Sequence, residues 1–195
     1  MSPKSAKQFA LERENSVARL LKAAVEVFTA KGYHAGSMAQ IAKAAKISKG
    51  LAYHYFDSKE ALLIALAEQR LQEMLPLVQG LESIQDPKKR LLFLVDFVLK
   101  ELVENTEKLR FFNSLYLNAD GVRAIEQAMQ KYHDQFERIF QAERKLYGDL
   151  GFSDPDMEAT FLRSLLQGIS LEYMLGPKDY PLEQIKKKLL ARYQE

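Results

Sequence analysis

A chain of 195 residues, 47% hydrophobic and 28% charged, can bury a sizeable core and is too apolar to be disordered. It has no cysteine, which excludes disulfides, cysteine-based zinc sites and thiol catalysis. The net charge of +2 divides unevenly: residues 1–60 hold ten Lys/Arg against five acids, and the remainder eighteen against twenty-one.

In chain order, residues 1–13 are polar and basic through Lys4, Lys7 and Arg13, and read as an N-terminal arm. They contain no hydrophobic signal core. The strongest apolar run, residues 91–99, is interrupted by Asp96 and falls short of the ~18 residues of a membrane span. A soluble, cytoplasmic protein is expected.

Glu14 to Lys31 predicts a helix. Val17, Leu20, Leu21, Ala24, Val25 and Phe28 form its apolar stripe, and Gly32 is placed to cap its C-terminus. Ser37-x-x-Gln40 is a capping-box signal for a second helix, whose Met38, Ile41, Ala42 and Ala45 recur at helical spacing. Lys46-Ile47 supplies a turn, and Ser48 caps a third helix running to about Tyr55. Two short helices joined by a tight turn make a helix-turn-helix, a shape that lays an α-helix into a DNA major groove.

Asp57-x-x-Glu60 repeats the capping-box pattern at the start of a helix expected to end near Leu75, before Pro76. Asp86-Pro87 opens a helix to about Glu104 that is apolar over most of its circumference, as a central helix should be. Thr106 is positioned to cap a segment to about Asn118. Asp120 opens a long helix expected to reach Tyr147, Asp154-Pro155 opens one to about Leu175, and Pro181 begins the last. No strand-like alternation occurs, so the fold class is all-α.

An enzyme is not expected. The histidines are His34, His54 and His133 alone, and neither a P-loop nor a glycine-rich cofactor loop is present. His133 and Glu137 share a face at i, i+4, which is more often a surface pair than a metal site. No cofactor or metal is expected.

The first sixty residues resemble the DNA-binding domain of TetR-type bacterial transcriptional regulators. The resemblance is carried by Ala23-Ala24 and Phe28 leading to Lys31-Gly32-Tyr33, then by Ser37-Met38-Ala39-Gln40-Ile41-Ala42. Ile47-Ser48-Lys49-Gly50-Leu51 and Tyr53-His54-Tyr55-Phe56-Asp57-Ser58-Lys59-Glu60 complete it. The last 135 residues share only the all-helical layout. The resemblance implies an arm over 1–13, a DNA-binding domain over 14–74 with its helix-turn-helix at 37–56, and an effector-binding and dimerisation domain over 75–195. It further implies a homodimer whose affinity for a palindromic operator in double-stranded DNA changes when a small effector binds. A repressor is the expected sense, and the alternative is a helical ligand-binding or adaptor protein with a vestigial DNA surface.

Within that frame, Ser37, Tyr53, His54 and Lys59 are expected at phosphates, and Ser48, Lys49, Gly50 and Leu51 at the reading end of the third helix. Lys49 suits guanine O6 and N7, and Leu51 a thymine methyl. Lys59, a cation in a helix's first turn, opposes the macrodipole and is easier to explain facing a phosphate. Phe97, Phe112, Tyr116, Tyr132, Phe136 and Gln167 are the candidates for lining an apolar effector cavity. Phe161, Ser164, Leu165, Gly168, Leu171 and Leu175 share one helix face, and with Leu182, Ile185 and Leu189 they are the candidate dimer interface.

Overall fold

The computed structural model describes residues 6–176 and 179–193. Those residues form α1 (Ala6–Lys31), α2 (Met38–Ala44), α3 (Lys49–Tyr55), α4 (Lys59–Ser83) and α5 (Pro87–Glu104). After these come α6 (Thr106–Leu115), α7 (Ala119–Lys131), α8 (His133–Asp149), α9 (Pro155–Leu175) and α10 (Leu182–Ala191). Among the described residues there is no strand, and no helix is long and apolar enough to cross a membrane.

Two compact units result. One contains the chain up to Arg70 together with Glu107–Lys131; the other contains Leu71–Thr106 and the chain from Tyr132 onward. The boundary expected at 74/75 therefore lies near 70/71, and a later segment, α6 and α7, folds with the N-terminal unit. The cause is apolar: Phe111, Phe112 and Leu115 of α6 and Ala124 of α7 share one buried cluster with Leu20, Ala24 and Phe28 of α1. Ile41 and Ala42 of α2, Ala52 of α3 and Leu62, Leu63 and Leu66 of α4 complete it. The Phe28 ring stacks on Phe111 at 5.9 Å, and Phe111 meets Phe112 at 5.2 Å. At the start of α7, Gly121 lies so close to the α6 backbone that an added Cβ would stand 2.3 Å from the Leu115 carbonyl oxygen.

Several boundaries depart from the sequence reading. The basic segment expected as an arm is helical from Ala6, because nothing between Ala6 and Lys31 breaks a run rich in Ala, Leu, Glu and Lys. Its first five residues lie outside the described set. Helix α4 passes through Pro76 to Ser83. Proline removes one backbone bond and costs about 3 kcal/mol in a helix interior. Burial of Leu77, Val78 and Leu81 beyond it offsets this, at roughly 1.5–3 kcal/mol for each side chain. The capping oxygen of α4 is that of Ser58, which accepts from the Ala61 N–H at 3.0 Å, rather than that of Asp57. Thr106 donates its hydroxyl back to the Leu102 carbonyl at 2.6 Å instead of capping forward. The helix expected from Asp120 to Tyr147 is broken at Tyr132, where φ is −115° and ψ 33°. Asn118 caps its first half through the Gly121 N–H at 2.7 Å.

The second unit is built on α5, α8 and α9. Asp86 caps α5 by accepting from the Lys88 and Lys89 N–H groups, and Asp154 caps α9 through Met157. Leu94, Val95, Leu99, Leu102, Leu146, Tyr147, Leu162 and Leu166 are buried. Three polar pairs are built into this unit: Arg90 with Asp149 at 2.6 Å, Tyr193 donating to Glu158 at 2.6 Å, and Arg163 donating to Glu143.

The Arg163–Glu143 pair yields a pH prediction. Burial pushes the Glu143 carboxyl above its usual range, and the charge and hydrogen bond of Arg163 only partly pull it back. A carboxyl whose folded pKa exceeds its unfolded one loses stability as pH rises through the folded value, and recovers it below the unfolded value. In Arg163→Met the folded value rises further. The half-exposed arginine limits the expected loss to about 2 kcal/mol near neutral pH, shrinking toward zero below about pH 4. Urea melts of the variant and the parent across pH measure this; a gap that widened in acid would contradict it.

Candidate nucleic-acid interface

Helix α2 begins at a complete capping box. The Ser37 hydroxyl accepts from the Gln40 N–H at 3.4 Å, and the Ser37 N–H donates to Gln40 Oε1 at 3.1 Å. Its end turns through Lys46, and Ser48 then caps α3 by accepting from the Leu51 N–H at 3.1 Å. Both serines are thus engaged in shaping the motif, and both are exposed.

Helix α3 is anchored by one face and open on the other. Ala52 is fully buried, and Tyr55 and Phe56 pack partly against the core. Lys49, Gly50, Tyr53 and His54 are exposed and Leu51 is half-buried, so the side chains expected at DNA share the solvent side. The Lys49 ammonium stands 5.8 Å from the Tyr53 ring centroid. Nothing lies within 4 Å of a Cβ built on Gly50, so no packing within the chain demands a glycine there. From residue 27 to residue 56 the sequence holds no Asp or Glu, while Lys31, Lys43, Lys46 and Lys49 are all exposed.

Lys59 is placed differently from the expectation. Its ammonium donates to the carbonyls of Tyr33 at 2.7 Å, His34 at 3.2 Å and Gly36 at 3.1 Å, and lies 4.4 Å from the Tyr33 ring centroid. An ammonium has three N–H donors, and these carbonyls engage all three. A lysine in the first turn of α4 is therefore accounted for without a phosphate: it straps down the link from α1 to α2. The same link is flanked by α7, whose Asp120 lies 3.7 Å from His34, and whose Arg123 lies 3.9 Å from Glu60. The Tyr33 hydroxyl is pushed above its ordinary pKa, first by burial and then by the negative charges of Asp120 and Glu60.

The effector candidates are dispersed. Phe112 is committed to the core of the first unit against Phe111, which removes it as a free wall of a cavity. Tyr116 is 63% exposed. Phe97, Tyr132 and Phe136 are half-buried and Gln167 is exposed in the second unit. On the same helix as Gln167, Arg163 is held by Glu143 and lies 5.5 Å from the Phe140 ring centroid.

Of the dimer candidates, those on α9 form an outward face: Ser164, Gly168, Leu171 and Leu175 are exposed, Phe161 and Leu165 half-buried. Met174, Leu166 and Leu162 point the other way, into the core. The α10 stripe is corrected. Leu182 and Leu189 are buried within their own unit, and Ile185 is half-buried. Lys186 of α10 pairs with Asp96 of α5 at 2.5 Å, so the apolar stripe of α10 is spent on its own chain.

Residues 20–66 match the family described as bacterial regulatory proteins, tetR family. The HTH-type transcriptional regulator UidR of Escherichia coli is 34% identical over 97 residues, covering 50% of this chain and 46% of that protein. The chain thus spans about half the length of the curated relatives it matches first. Among solved structures, the fatty acid degradation regulator FadR of Bacillus halodurans superimposes with a TM-score of 0.69 at 24% identity, covering 90% of this chain and 96% of that one. FadR of Bacillus subtilis in complex with stearoyl-CoA does so with a TM-score of 0.70 at 20% identity, covering 90% and 96%. At such identities the likeness shows a shared fold.

Proposed function

From a chain whose residues 20–66 match the tetR family of bacterial regulatory proteins, we propose a DNA-binding transcriptional regulator that holds a palindromic operator as a homodimer and responds to a small, largely apolar effector. The observation that carries this reading is the open face of α3 within a stretch of thirty residues free of acids. A polyanion meets cations and polar-tipped rings there and no carboxylate of that stretch, and phosphate contacts supply much of the affinity of DNA-binding proteins. Lys49, at the first turn of α3, is the base reader, and Gly50 and Leu51 allow close approach beside it. Tyr53 and His54 sit where ring-borne polar atoms reach phosphates.

The exposed face of α9 supports pairing of two copies about a two-fold axis, which would set two α3 helices on successive half-sites. For the effector, the precedent is the Bacillus subtilis FadR structure, which holds stearoyl-CoA. A ligand with a long apolar portion suits a second unit rich in aromatic and aliphatic side chains. In a regulator of this design, repression relieved by the effector is the sense we assign, and no enzymatic role is assigned.

Fluorescence anisotropy against the DNA upstream of the protein's own gene, across a salt series, tests the reading. Affinity should fall linearly on a log–log salt plot and exceed that for a duplex of scrambled sequence. Lys49→Ala should shrink the preference for the upstream DNA by about 1–3 kcal/mol while sparing much of the non-specific affinity. Binding indifferent to both salt and sequence would sink the proposal.

A further inference from the structure

Among the described residues, Lys46 is the one non-glycine residue with positive φ, at 57°. The turn imposes that conformation. The Lys46 N–H returns to the Lys43 carbonyl at 3.1 Å and the Ile47 N–H to the Ala42 carbonyl at 3.0 Å, closing α2 in a motif whose C′ residue must be left-handed. Glycine fills that position without conflict, and asparagine can hydrogen-bond locally there. Lysine does neither, since its Cβ crowds the following carbonyl oxygen and its side chain carries only a distant ammonium.

Among the described residues nothing offsets this cost. Lys46 is exposed, and none of the described hydrogen bonds, ion pairs or ring contacts uses its ammonium. Its surroundings in sequence, residues 27 to 56, contain no carboxylate to pair with. The position itself is the bend between α2 and α3, two residues ahead of the serine that caps α3. A cation there gains only from an anion outside the protein.

We infer that Lys46 is a DNA-phosphate contact, a cation held at the helix-turn-helix bend at the expense of backbone strain. The inference rests on the proposed DNA-binding reading. Because a phosphate contact is blind to base sequence, a fluorescein-labelled duplex of mixed sequence is a sufficient probe.

The experiment uses the full chain and the variants Lys46→Gly, Lys46→Asn and Lys46→Arg. Lys46→Gly should melt roughly 2–4 °C higher than the parent, through relief of the strained φ. It should nonetheless bind the duplex about five- to tenfold more weakly near 0.1 M salt, with a salt slope shallower by about 0.9 per protomer. Lys46→Asn should lose the same affinity, and Lys46→Arg should retain the parent's slope. Gain of stability with loss of affinity is a combination that no general misfolding produces. A Lys46→Gly protein with the parent's salt slope, or with a lower melting temperature, overturns the inference alone. A parent chain without salt-dependent binding overturns the inference and the proposed function together.

Discussion

Phe111→Ala is expected to cost the helix-turn-helix unit about 3–5 kcal/mol, although the residue lies more than fifty positions beyond the motif. Phe111 is 1% exposed, stacks on Phe28 of α1 and meets the tilted ring of Phe112 within one buried cluster. Truncation removes the transfer energy of the ring and leaves a cavity in a cluster to which five other helices contribute. The control lies in the turn just after α6: Tyr116 is 63% exposed, and Tyr116→Ala should stay within about 0.5 kcal/mol of the parent. Urea denaturation followed by circular dichroism, with DNA binding recorded alongside, reads both. A loss below about 1 kcal/mol in Phe111→Ala would mean that α6 is dispensable to the unit.

Lys59→Met should be the second largest change. It removes three charge-assisted hydrogen bonds and a cation over the Tyr33 ring while leaving a stem of similar length. Hydrogen bonds to charged groups contribute about 1.5–3 kcal/mol, and part of that loss is returned where water can reach a freed carbonyl, as at the exposed His34. We expect a destabilisation of about 2 kcal/mol and at least a tenfold loss of DNA affinity, since the strapped link positions Ser37 and the start of α2. The discriminating measurement is the salt slope. A strap acts through geometry and should leave the slope nearly unchanged, whereas a phosphate contact should lower it by about 0.9 per protomer. A lowered slope with an unchanged melting temperature would restore the phosphate role inferred from the macrodipole.

These two residues also mark how far the sequence could be read. Four helix starts were legible from a side-chain oxygen ahead of an apolar periodicity: the Ser37 box, Ser48, Asp86 before Pro87 and Asp154 before Pro155 all cap as their chemistry dictates, whereas Thr106 turns back and Ser58 and Asn118 cap in place of Asp57 and Asp120. Ends set by tertiary burial were not legible. Pro76 is a local stop signal overruled by Leu77, Val78 and Leu81, and the break at Tyr132 has neither glycine nor proline to announce it. On α3 the burial of Ala52, with Tyr55 and Phe56 packed partly beside it, leaves Lys49, Gly50, Tyr53 and His54 on the open face. The carbonyls that hold Lys59 lie 23 to 26 residues away in sequence, and no spacing rule connects them. Lys46 was legible as a turn residue, but its positive φ is a property of the closed turn and not of the letter. For α10, amphipathicity established that one face is buried without saying against which chain.

The unit that carries the helix-turn-helix is discontinuous in sequence, and this bears on how the protein is made. Its core is not complete until Leu115 and Ala124 have been added, long after Leu20, Ile41 and Leu66. On the ribosome, the nascent first seventy residues emerge with an apolar surface whose partners are still being translated. The chain must either hold that surface in a loose state or shield it with a chaperone until α6 and α7 arrive. An N-terminal fragment cut just after α4 would retain every residue proposed to touch DNA and still lack part of its own core. Such fragments should aggregate or fold only at low temperature, and the shortest stretch that folds as the native unit should extend to Lys131.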